Sequence, residues 1–257
     1  MIHVLTVNVG DKYSPRYVIN LNNALKRNCS IPFQLHCITD GPRSDYPDDI
    51  KLAEPLPIDL GIKRQWNKLA WHSVAFQSRW GIGEGSKCII LDIDQLVVGN
   101  IDDLFRCPIS DHQVAFFKRW WSYRQNVCNI NGGVQLFIAG HTDYIFSKFI
   151  MDVAGWQDYY ISRRLAKGPV NGEQNFLDET VMPFNKYILP DVWIGKYESG
   201  MNRLILQQWI DKVDREDPYE PYFCGGEFHP DVKLVHFAGT NNMIHEYDED
   251  WISYYWN

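Results

Sequence analysis

The fold is decided by the stretch Lys87-Cys88-Ile89-Ile90-Leu91-Asp92-Ile93-Asp94, an apolar run that ends in two carboxylates. A short, continuous apolar run is typical of a strand buried on both faces of a parallel sheet. Residues i and i+2 of an extended chain point the same way, so the carboxylates of Asp92 and Asp94 should meet beyond this strand. Two such carboxylates repel each other unless a cation lies between them, and their hard oxygens suit magnesium or manganese. The segment therefore predicts a divalent-metal site at the carboxyl edge of a sheet, although a bare Asp-x-Asp is also typical of solvated loops.

A β-α-β pattern precedes this segment. Residues 3–9 and 33–38 are rich in β-forming residues and predict strands. Between them, Ser14-Pro15 is typical of an N-cap followed by a first-turn proline, and apolar residues then recur at helical spacing. This start predicts a largely parallel, Rossmann-like central sheet flanked by helices. Residues 43–62 are rich in Pro and Asp and predict a loop.

The remaining pattern alternates between helix and strand. It predicts a helix over residues 63–77, a helical turn opening at 102–104, strands at 114–117, 134–138 and 233–237, and a helix over 142–153. The aromatic C-terminal segment, residues 251–256, is expected to pack on the core.

Length and composition indicate a single globular domain. The chain has 257 residues, 45% of them hydrophobic, and no low-complexity linker divides it. Its net charge of −7 excludes a general nucleic-acid binder, which needs a basic face. No apolar run approaches a membrane span, and residues 1–7 are typical of a first strand rather than a signal peptide. We therefore expect a cytoplasmic protein whose six cysteines are reduced.

Four blocks, in the same order, resemble glycosyltransferase family 8, which includes glycogenin and bacterial galactosyltransferases. The first runs from Trp66-Asn67-Lys68-Leu69-Ala70-Trp71 through the Asp-x-Asp stretch to Asn100-Ile101-Asp102-Asp103-Leu104-Phe105. The others are Asn131-Gly132-Gly133-Val134, Gly172-Glu173-Gln174-Asn175-Phe176-Leu177 and Val235-His236-Phe237-Ala238-Gly239. They are similar to the family's Asn-Ser-Gly-Val, Asp-Gln-containing and His-Phe-x-Gly segments.

The resemblance implies a GT-A fold, a UDP-sugar donor and a manganese (or magnesium) ion. It implies metal ligation by Asp92, Asp94 and His236. A neutral imidazole can bind manganese, but a lone histidine at a strand end is more often only hydrogen-bonded. The donor-binding residues that it implies are Val9, Tyr13 and Asp40 near the nucleoside, Lys68 near the phosphates, and Ile93 and Gly239.

The same resemblance divides the domain into a nucleotide-binding half, residues 1–105, and a donor-sugar and acceptor half, residues 106–257. It places Asn131 and Gln174 near the donor sugar and implies catalytic roles for them and for Glu173. Gln174 could direct its carbonyl oxygen at an oxocarbenium-like transition state. Glu173 could do so more strongly, or it could orient its neighbours.

Three departures indicate a divergent member of that family. The family's Lys-Pro-Trp after His-Phe-x-Gly is Asn241-Asn242-Met243 here, and no Lys or Arg occurs from Thr240 to the C-terminus. The family's Asp before Gln is Glu173, and its middle Ser is Gly132. Because the missing lysine is a diphosphate contact in the family, we expect Lys68 to carry more of that task.

The sequence therefore predicts a metal-dependent transfer of a hexose from a nucleotide sugar to an acceptor hydroxyl, with retention of configuration. The acceptor is left open between a glycan, a lipid-linked and a protein hydroxyl. A sugar nucleotidyltransferase would need a glycine-rich basic loop, for which residues 7–12 are a poor candidate. The main alternative is a catalytically degenerate GT-A fold that binds nucleotide sugars or glycans.

Overall fold

The computed structural model describes residues 1–118, 128–162, 172–197, 231–237, 243–248 and 250–257. Within them the strands are β1 (Ile2–Asn8), β2 (Phe33–Thr39), β3 (Lys51–Ala53), β4 (Lys87–Leu91), β5 (Gln95–Val97), β6 (Val114–Lys118), β7 (Ile130–Ile138), β8 (Lys186–Ile188), β9 (Ile194–Lys196) and β10 (Leu234–His236). The α-helices are α1 (Arg16–Asn28), α2 (Val74–Arg79), α3 (Asp102–Arg106), α4 (Asp143–Ile150), α5 (Val153–Ser162), α6 (Glu173–Thr180) and α7 (Asp250–Trp256).

A seven-stranded sheet forms the centre, in the order β3-β2-β1-β4-β7-β6-β8. Strands β3, β2, β1 and β4 run parallel, and β8 runs parallel to β6. Strand β7 runs antiparallel to both of its neighbours, β4 and β6. A second sheet has the order β5-β10-β9, in which β10 runs antiparallel to β5. The predicted α/β class with a largely parallel sheet is confirmed.

Both faces of the large sheet are covered, which explains the continuous apolar runs. Successive residues of β1 and β4 belong to different clusters: Val4 and Ile89 lie in one, and Leu5 and Ile90 in the other. Side chains alternate across a strand, so a strand with core on both sides needs apolar residues at every position. Asp92 and Asp94 follow this buried strand and flank Ile93, which is itself buried in the core.

The predicted helix over residues 63–77 is wrong in its form. The chain instead makes a 3-10 helix, Arg64–His72, and then the separate helix α2. Ser73 separates them, because its backbone is extended and its hydroxyl accepts a hydrogen bond from the Phe76 amide at 3.3 Å. A serine competes with the helix backbone in this way and starts a new helix as an N-cap.

Two further predictions need correction at helix and loop boundaries. Helix α1 begins after Pro15, which is itself the N-cap, and no side chain caps it, so Ser14 is not the capping residue. The predicted loop 43–62 contains the edge strand β3 and two short 3-10 turns, Arg43–Asp45 and Ile58–Leu60. The other predicted strands and helices are present, with shifted ends, whereas β5, β8, β9, α5, α6 and the C-terminal helix α7 were not predicted.

The C-terminal helix α7 packs on the first helix of the chain, as expected from its aromatic sequence. The Trp256 and Tyr17 rings meet edge to face at 4.5 Å between centroids. Arg27 donates hydrogen bonds to the carbonyls of Tyr255 and Asn257 at 3.2 and 3.0 Å, which caps the end of α7. Among the described residues, no helix combines the length and apolarity that crossing a bilayer requires.

Two parallel strands carry a buried histidine pair. His3 Nδ1 and His36 Nε2 lie 3.0 Å apart, so one of the two rings donates to the other. Burial, followed by the influence of His3 and Lys51, lowers the pKa of His36 to about 3. The pair is therefore held neutral inside the fold. Because the unfolded chain takes up these protons at a higher pH, acid destabilises the native state.

Candidate functional site

The polar residues of interest collect at one edge of the large sheet. Strands β1, β2 and β4 run parallel, so their carboxyl ends share an edge. Tyr13 and Asp40 follow β1 and β2, and Asp92 and Asp94 follow β4. This is where open α/β sheets bind their ligands.

Backbone hydrogen bonds fix the Asp-x-Asp segment. The Asp92 amide donates to the Gly133 carbonyl at 2.9 Å, and the Phe237 amide donates to the Asp94 carbonyl at 2.9 Å. His236 also pairs with Gln95 across β10 and β5. Two segments distant in sequence therefore hold the short turn that carries the aspartates between β4 and β5.

The Lys68 ammonium is held by contacts with Asp92 and its neighbours. Its ammonium lies 2.9 Å from Asp92 Oδ1 and 3.3 Å from Glu173 Oε2, and it donates to the Gly132 carbonyl at 3.3 Å. An ammonium has three N–H donors, so these three acceptors use all of its hydrogen-bonding capacity. Burial alone would lower the pKa of Lys68, but the two carboxylates raise it above its ordinary value, and the side chain stays charged. The expected phosphate contact would require Lys68 to exchange one of these partners.

The two carboxylate oxygens of Asp94 differ in their hydrogen bonding. Tyr13 donates its hydroxyl to Asp94 Oδ2 at 3.0 Å, whereas Asp94 Oδ1 is buried and has no hydrogen-bond partner in the part of the chain that the structure describes. Burial first, and then the negative charge of Asp94, raises the pKa of Tyr13, so its hydroxyl remains a donor. A buried, unpartnered carboxylate oxygen costs free energy, which a cation or a donor from a ligand would recover.

His236 lies at the same edge but faces amide groups. Its ring is 3% exposed, with Nδ1 3.2 Å from Gln95 Nε2 and Nε2 3.4 Å from Asn131 Nδ2. Among the described residues, no group of three or more His, Cys, Asp and Glu side chains is arranged to hold a metal ion. The fold therefore brings the backbones of the three predicted ligands together, while the His236 ring stays with its amides.

Glu173 and Gly132, the two residues that differ from the family's Asp and Ser, are neighbours in the structure. Glu173 is 3% exposed at the start of α6, and a Cβ added at Gly132 would lie 3.2 Å from its Oε2 and 2.8 Å from Gln174 Cβ. Gln174 Cβ and the longer acid together therefore occupy space that a serine at position 132 would need. In this structure Glu173 faces Lys68 rather than the open edge, which favours its orienting role over direct contact with a donor.

Gly133 leaves room for polar groups to converge. A Cβ at this position would lie 2.9 Å from both Asn131 Oδ1 and Asp92 Oδ2, and 2.8 Å from Gln95 Nε2. Asn131 Oδ1 in turn accepts a hydrogen bond from the Gly133 amide at 3.0 Å. Asn131 and Asp92, predicted separately, are thus neighbours, whereas Gly239 and residues 241–242 lie outside the described residues.

The loop after β1 forms a second polar group at the edge. The Gly10 amide donates to both oxygens of Asp40 at 3.1 Å, and Gly10 has a φ of 83°, which glycine tolerates. Arg64 lies against this glycine and places its Nη2 3.2 Å from Asp11 Oδ1. Val9 packs against the core beneath the loop.

Two residues at this edge were missed by sequence reasoning. Gln95 follows the Asp-x-Asp directly, and its Oε1 is buried with no hydrogen-bond partner from any described residue. Gln135 lies deeper in β7 and contacts Glu173. Only the proximity of Gln95 to the motif was a signal, because a glutamine within a strand has no chemistry-bearing pattern of its own.

Comparison with known proteins defines the fold. Neither a family model nor a curated protein sequence matches the chain. The galactosyltransferase LgtC, in complex with donor and acceptor sugar analogues, is similar with a TM-score of 0.59 and 12% identity, over 93% of this chain and 87% of LgtC. The mouse xyloside xylosyltransferase 1 in its apo form gives 0.52 and 16%, over 94% and 99%.

A third solved structure is longer than this chain. The glycosyltransferase GlyE of Streptococcus pneumoniae TIGR4 gives a TM-score of 0.63 and 14% identity, over 94% of this chain but 56% of GlyE. All three neighbours are glycosyltransferases, and at these identities the likeness concerns the fold. The chain has a GT-A type fold, as predicted.

Proposed function

We propose that the chain is a glycosyltransferase that binds a nucleotide sugar, with UDP as the nucleotide, at the carboxyl edge of the large sheet. The observation that carries this proposal is the pair Asp92 and Asp94, which backbone hydrogen bonds fix in place. Asp94 Oδ1 is buried and has no hydrogen-bond partner within the described ranges of the chain. The GT-A fold supports the same reaction class, and the four sequence blocks favour a divergent relative of family 8. Retention of configuration and a hexose donor follow from that resemblance.

The residues at this edge fit a divalent cation. Asp92 and Asp94 offer hard oxygen ligands, and Asp94 Oδ1 is an acceptor with no partner among the described residues. These two residues would hold manganese or magnesium, and His236 would join them by exchanging an amide partner for the ion. When bound, the ion offsets the negative charge that develops on the departing diphosphate.

The protein residues supply positioning and fixed charge. Lys68 keeps Asp92 in one orientation, and Tyr13 does the same for Asp94. Asp40 braces the Gly10 turn, beside which the nucleoside is expected. Asn131 and Gln174 are proposed to face the donor sugar, where their amide dipoles stabilise an oxocarbenium-like transition state.

Turnover tests this proposal and separates it from a binding module. Release of UDP from a panel of UDP-hexoses is measured with manganese and with excess chelator. We expect release with manganese for at least one sugar, and a loss of more than about tenfold in Asp94→Asn. Asp48→Asn is the matched control, because Asp48 is a fully exposed aspartate paired with Arg43.

The two alternatives give different results in the same assay. A degenerate binding module would bind UDP-sugars and release no UDP at any metal concentration. Equal release by Asp94→Asn and the wild type would place the reaction elsewhere in the molecule.

A further inference from the structure

A buried chain of polar side chains runs from helix α4 to the aspartates. Its centre is Gln135, which is fully buried in β7. The Gln135 amide nitrogen donates to Glu173 Oε1 at 3.1 Å and to the Gly132 carbonyl at 2.9 Å, and its Oε1 lies 2.9 Å from His72 Nε2. His72 Nδ1 in turn lies 2.9 Å from the Thr142 hydroxyl. Gln135 and Thr142 lie outside the four sequence blocks, and His72 directly follows the Trp66–Trp71 segment of the first block.

The partners determine where each proton lies. The Gly132 carbonyl can only accept a hydrogen bond, so the amide nitrogen of Gln135 must face it. Burial raises the pKa of Glu173 to about 7, whereas the Lys68 ammonium lowers it, and the ionised form of Glu173 that pairs with Lys68 accepts from the same nitrogen. The amide oxygen of Gln135 therefore faces His72, which must carry its proton on Nε2. His72 Nδ1 is then an acceptor, and the Thr142 hydroxyl donates to it. Every donor in this chain meets an acceptor, and the direction of each hydrogen bond follows from the next.

The chain ends at a residue of the proposed site. Gln135 occupies Glu173 Oε1, which leaves Oε2 for the Lys68 ammonium at 3.3 Å, and Lys68 meets Asp92 Oδ1 at 2.9 Å. If the Gln135 amide rotated, its oxygen would face a carboxylate, and Glu173 would lose its fixed orientation. The amide therefore controls which oxygen Lys68 can reach.

We propose that Gln135 is a positioning residue, oriented by the Nε2-protonated tautomer of His72, which holds Glu173 and Lys68 so that Asp92 is preorganised for nucleotide binding. The proposal rests on the proposed function. Its physical basis is that side chains at binding sites gain from rotamers locked by surrounding hydrogen bonds. The competing explanation is a polar network that contributes to stability alone.

Gln77 provides a matched control for the competing explanation. It is also a buried glutamine, 2% exposed, with both ends of its amide in hydrogen bonds. Its nitrogen donates to the Trp71 carbonyl at 2.6 Å, and its oxygen accepts from the Gly140 amide at 2.9 Å. These backbone partners lie away from the aspartates. Gln77→Met and Gln135→Met therefore remove the same chemistry from the interior, and only one of them removes it from the proposed site.

The test measures UDP affinity by calorimetry in manganese, together with the melting temperature, for both methionine variants. We expect both to melt at lower temperature, and only Gln135→Met to weaken UDP binding, by about tenfold, because it removes a hydrogen bond to a charged group. His72→Phe should give a similar loss, whereas His72→Gln, which can still donate to Gln135, should recover part of it. These two variants decide the matter if Gln135→Met does not fold.

The failures are distinguishable. A wild-type protein that binds no UDP in manganese overturns the proposed function and this inference with it. A wild type that binds UDP, with equal dissociation constants for Gln135→Met and Gln77→Met, overturns the positioning role alone. Nitrogen-15 NMR of the His72 ring gives an independent check. A proton on Nε2 is expected, and a proton on Nδ1 alone would overturn the assigned direction of the chain.

Discussion

Replacing Arg64 with glutamine should weaken the binding of UDP, because this guanidinium is available at the edge where Lys68 is not. All three donors of Lys68 are filled by Asp92, Glu173 and the Gly132 carbonyl. Arg64 instead lies beside Gly10 and pairs with Asp11, whose side chain is 93% exposed. No Lys or Arg occurs from Thr240 onward, and Arg64 is a cation beside this loop that a diphosphate could recruit without breaking a buried ion pair.

The magnitude follows from the exposure of the guanidinium. A charge-assisted hydrogen bond shielded from water contributes about 1.5–3 kcal/mol, and an exposed ion pair about 0.2–1 kcal/mol. The Arg64 side chain is 44% exposed, so its contact with phosphate should contribute about 1 kcal/mol. That value corresponds to a roughly fivefold increase in the dissociation constant of UDP. The effect should shrink at high salt, because a part-exposed charge is screened.

Isothermal titration of UDP in manganese measures the effect, and Arg79→Gln is its control. Arg79 makes the same kind of surface pair, with its Nη2 3.2 Å from Glu54 Oε2, but it belongs to helix α2. Arg79→Gln should bind UDP like the wild type. If Arg64→Gln also binds UDP within twofold of the wild type at low salt, Arg64 is only a surface cation and the reasoning is refuted.

Three further outcomes are expected from the fold and the site. Between pH 7.5 and pH 5 the free energy of unfolding should fall by about 2 kcal/mol for each histidine that is buried and neutral. In the unfolded chain such a histidine has a pKa near 6.5 and takes up a proton in this range. Native His36 does not, because its pKa is about 3. His36→Leu should lose that part of the pH dependence in urea titrations, whereas Trp71→Phe, a neighbouring change without a titrating group, should keep it. Gly99→Ala should lower the melting temperature by several degrees, because its Cβ would lie 2.3 Å from the Val232 carbonyl oxygen. Gly133→Ala should instead weaken UDP binding more than it lowers the melting temperature, because its Cβ would meet the ends of polar side chains rather than backbone.

The sequence was sufficient for the central part of the fold. The run at residues 87–91 is apolar at every position because core lies on both faces of β4, and that pattern can be read without coordinates. The prediction of helices was wrong where a single polar residue ends a segment with helical spacing of apolar residues. Ser73 interrupts a periodic segment because its hydroxyl caps a new helix. The spacing of apolar residues carries no information about such a hydrogen bond between a side chain and the backbone.

The site was predictable at the level of position, but its contacts were not. Strand order brings Asp92, Asp94 and His236 to one edge, and this follows from parallel strands and the segment that returns antiparallel beside them. Which partner each side chain chooses depends on packing between segments far apart in sequence. Lys68, for example, meets Glu173 more than a hundred residues later, and no local pattern specifies that meeting.

Calorimetric titration of UDP with and without manganese tests whether Asp92 and Asp94 form a metal-dependent nucleotide site. We expect UDP to bind the wild-type protein in manganese and to lose at least about tenfold in affinity in excess chelator, with Asp94→Asn resembling the chelated protein even when manganese is present. Equal affinity of UDP for the wild type with manganese and with chelator would contradict a metal-dependent site at these residues.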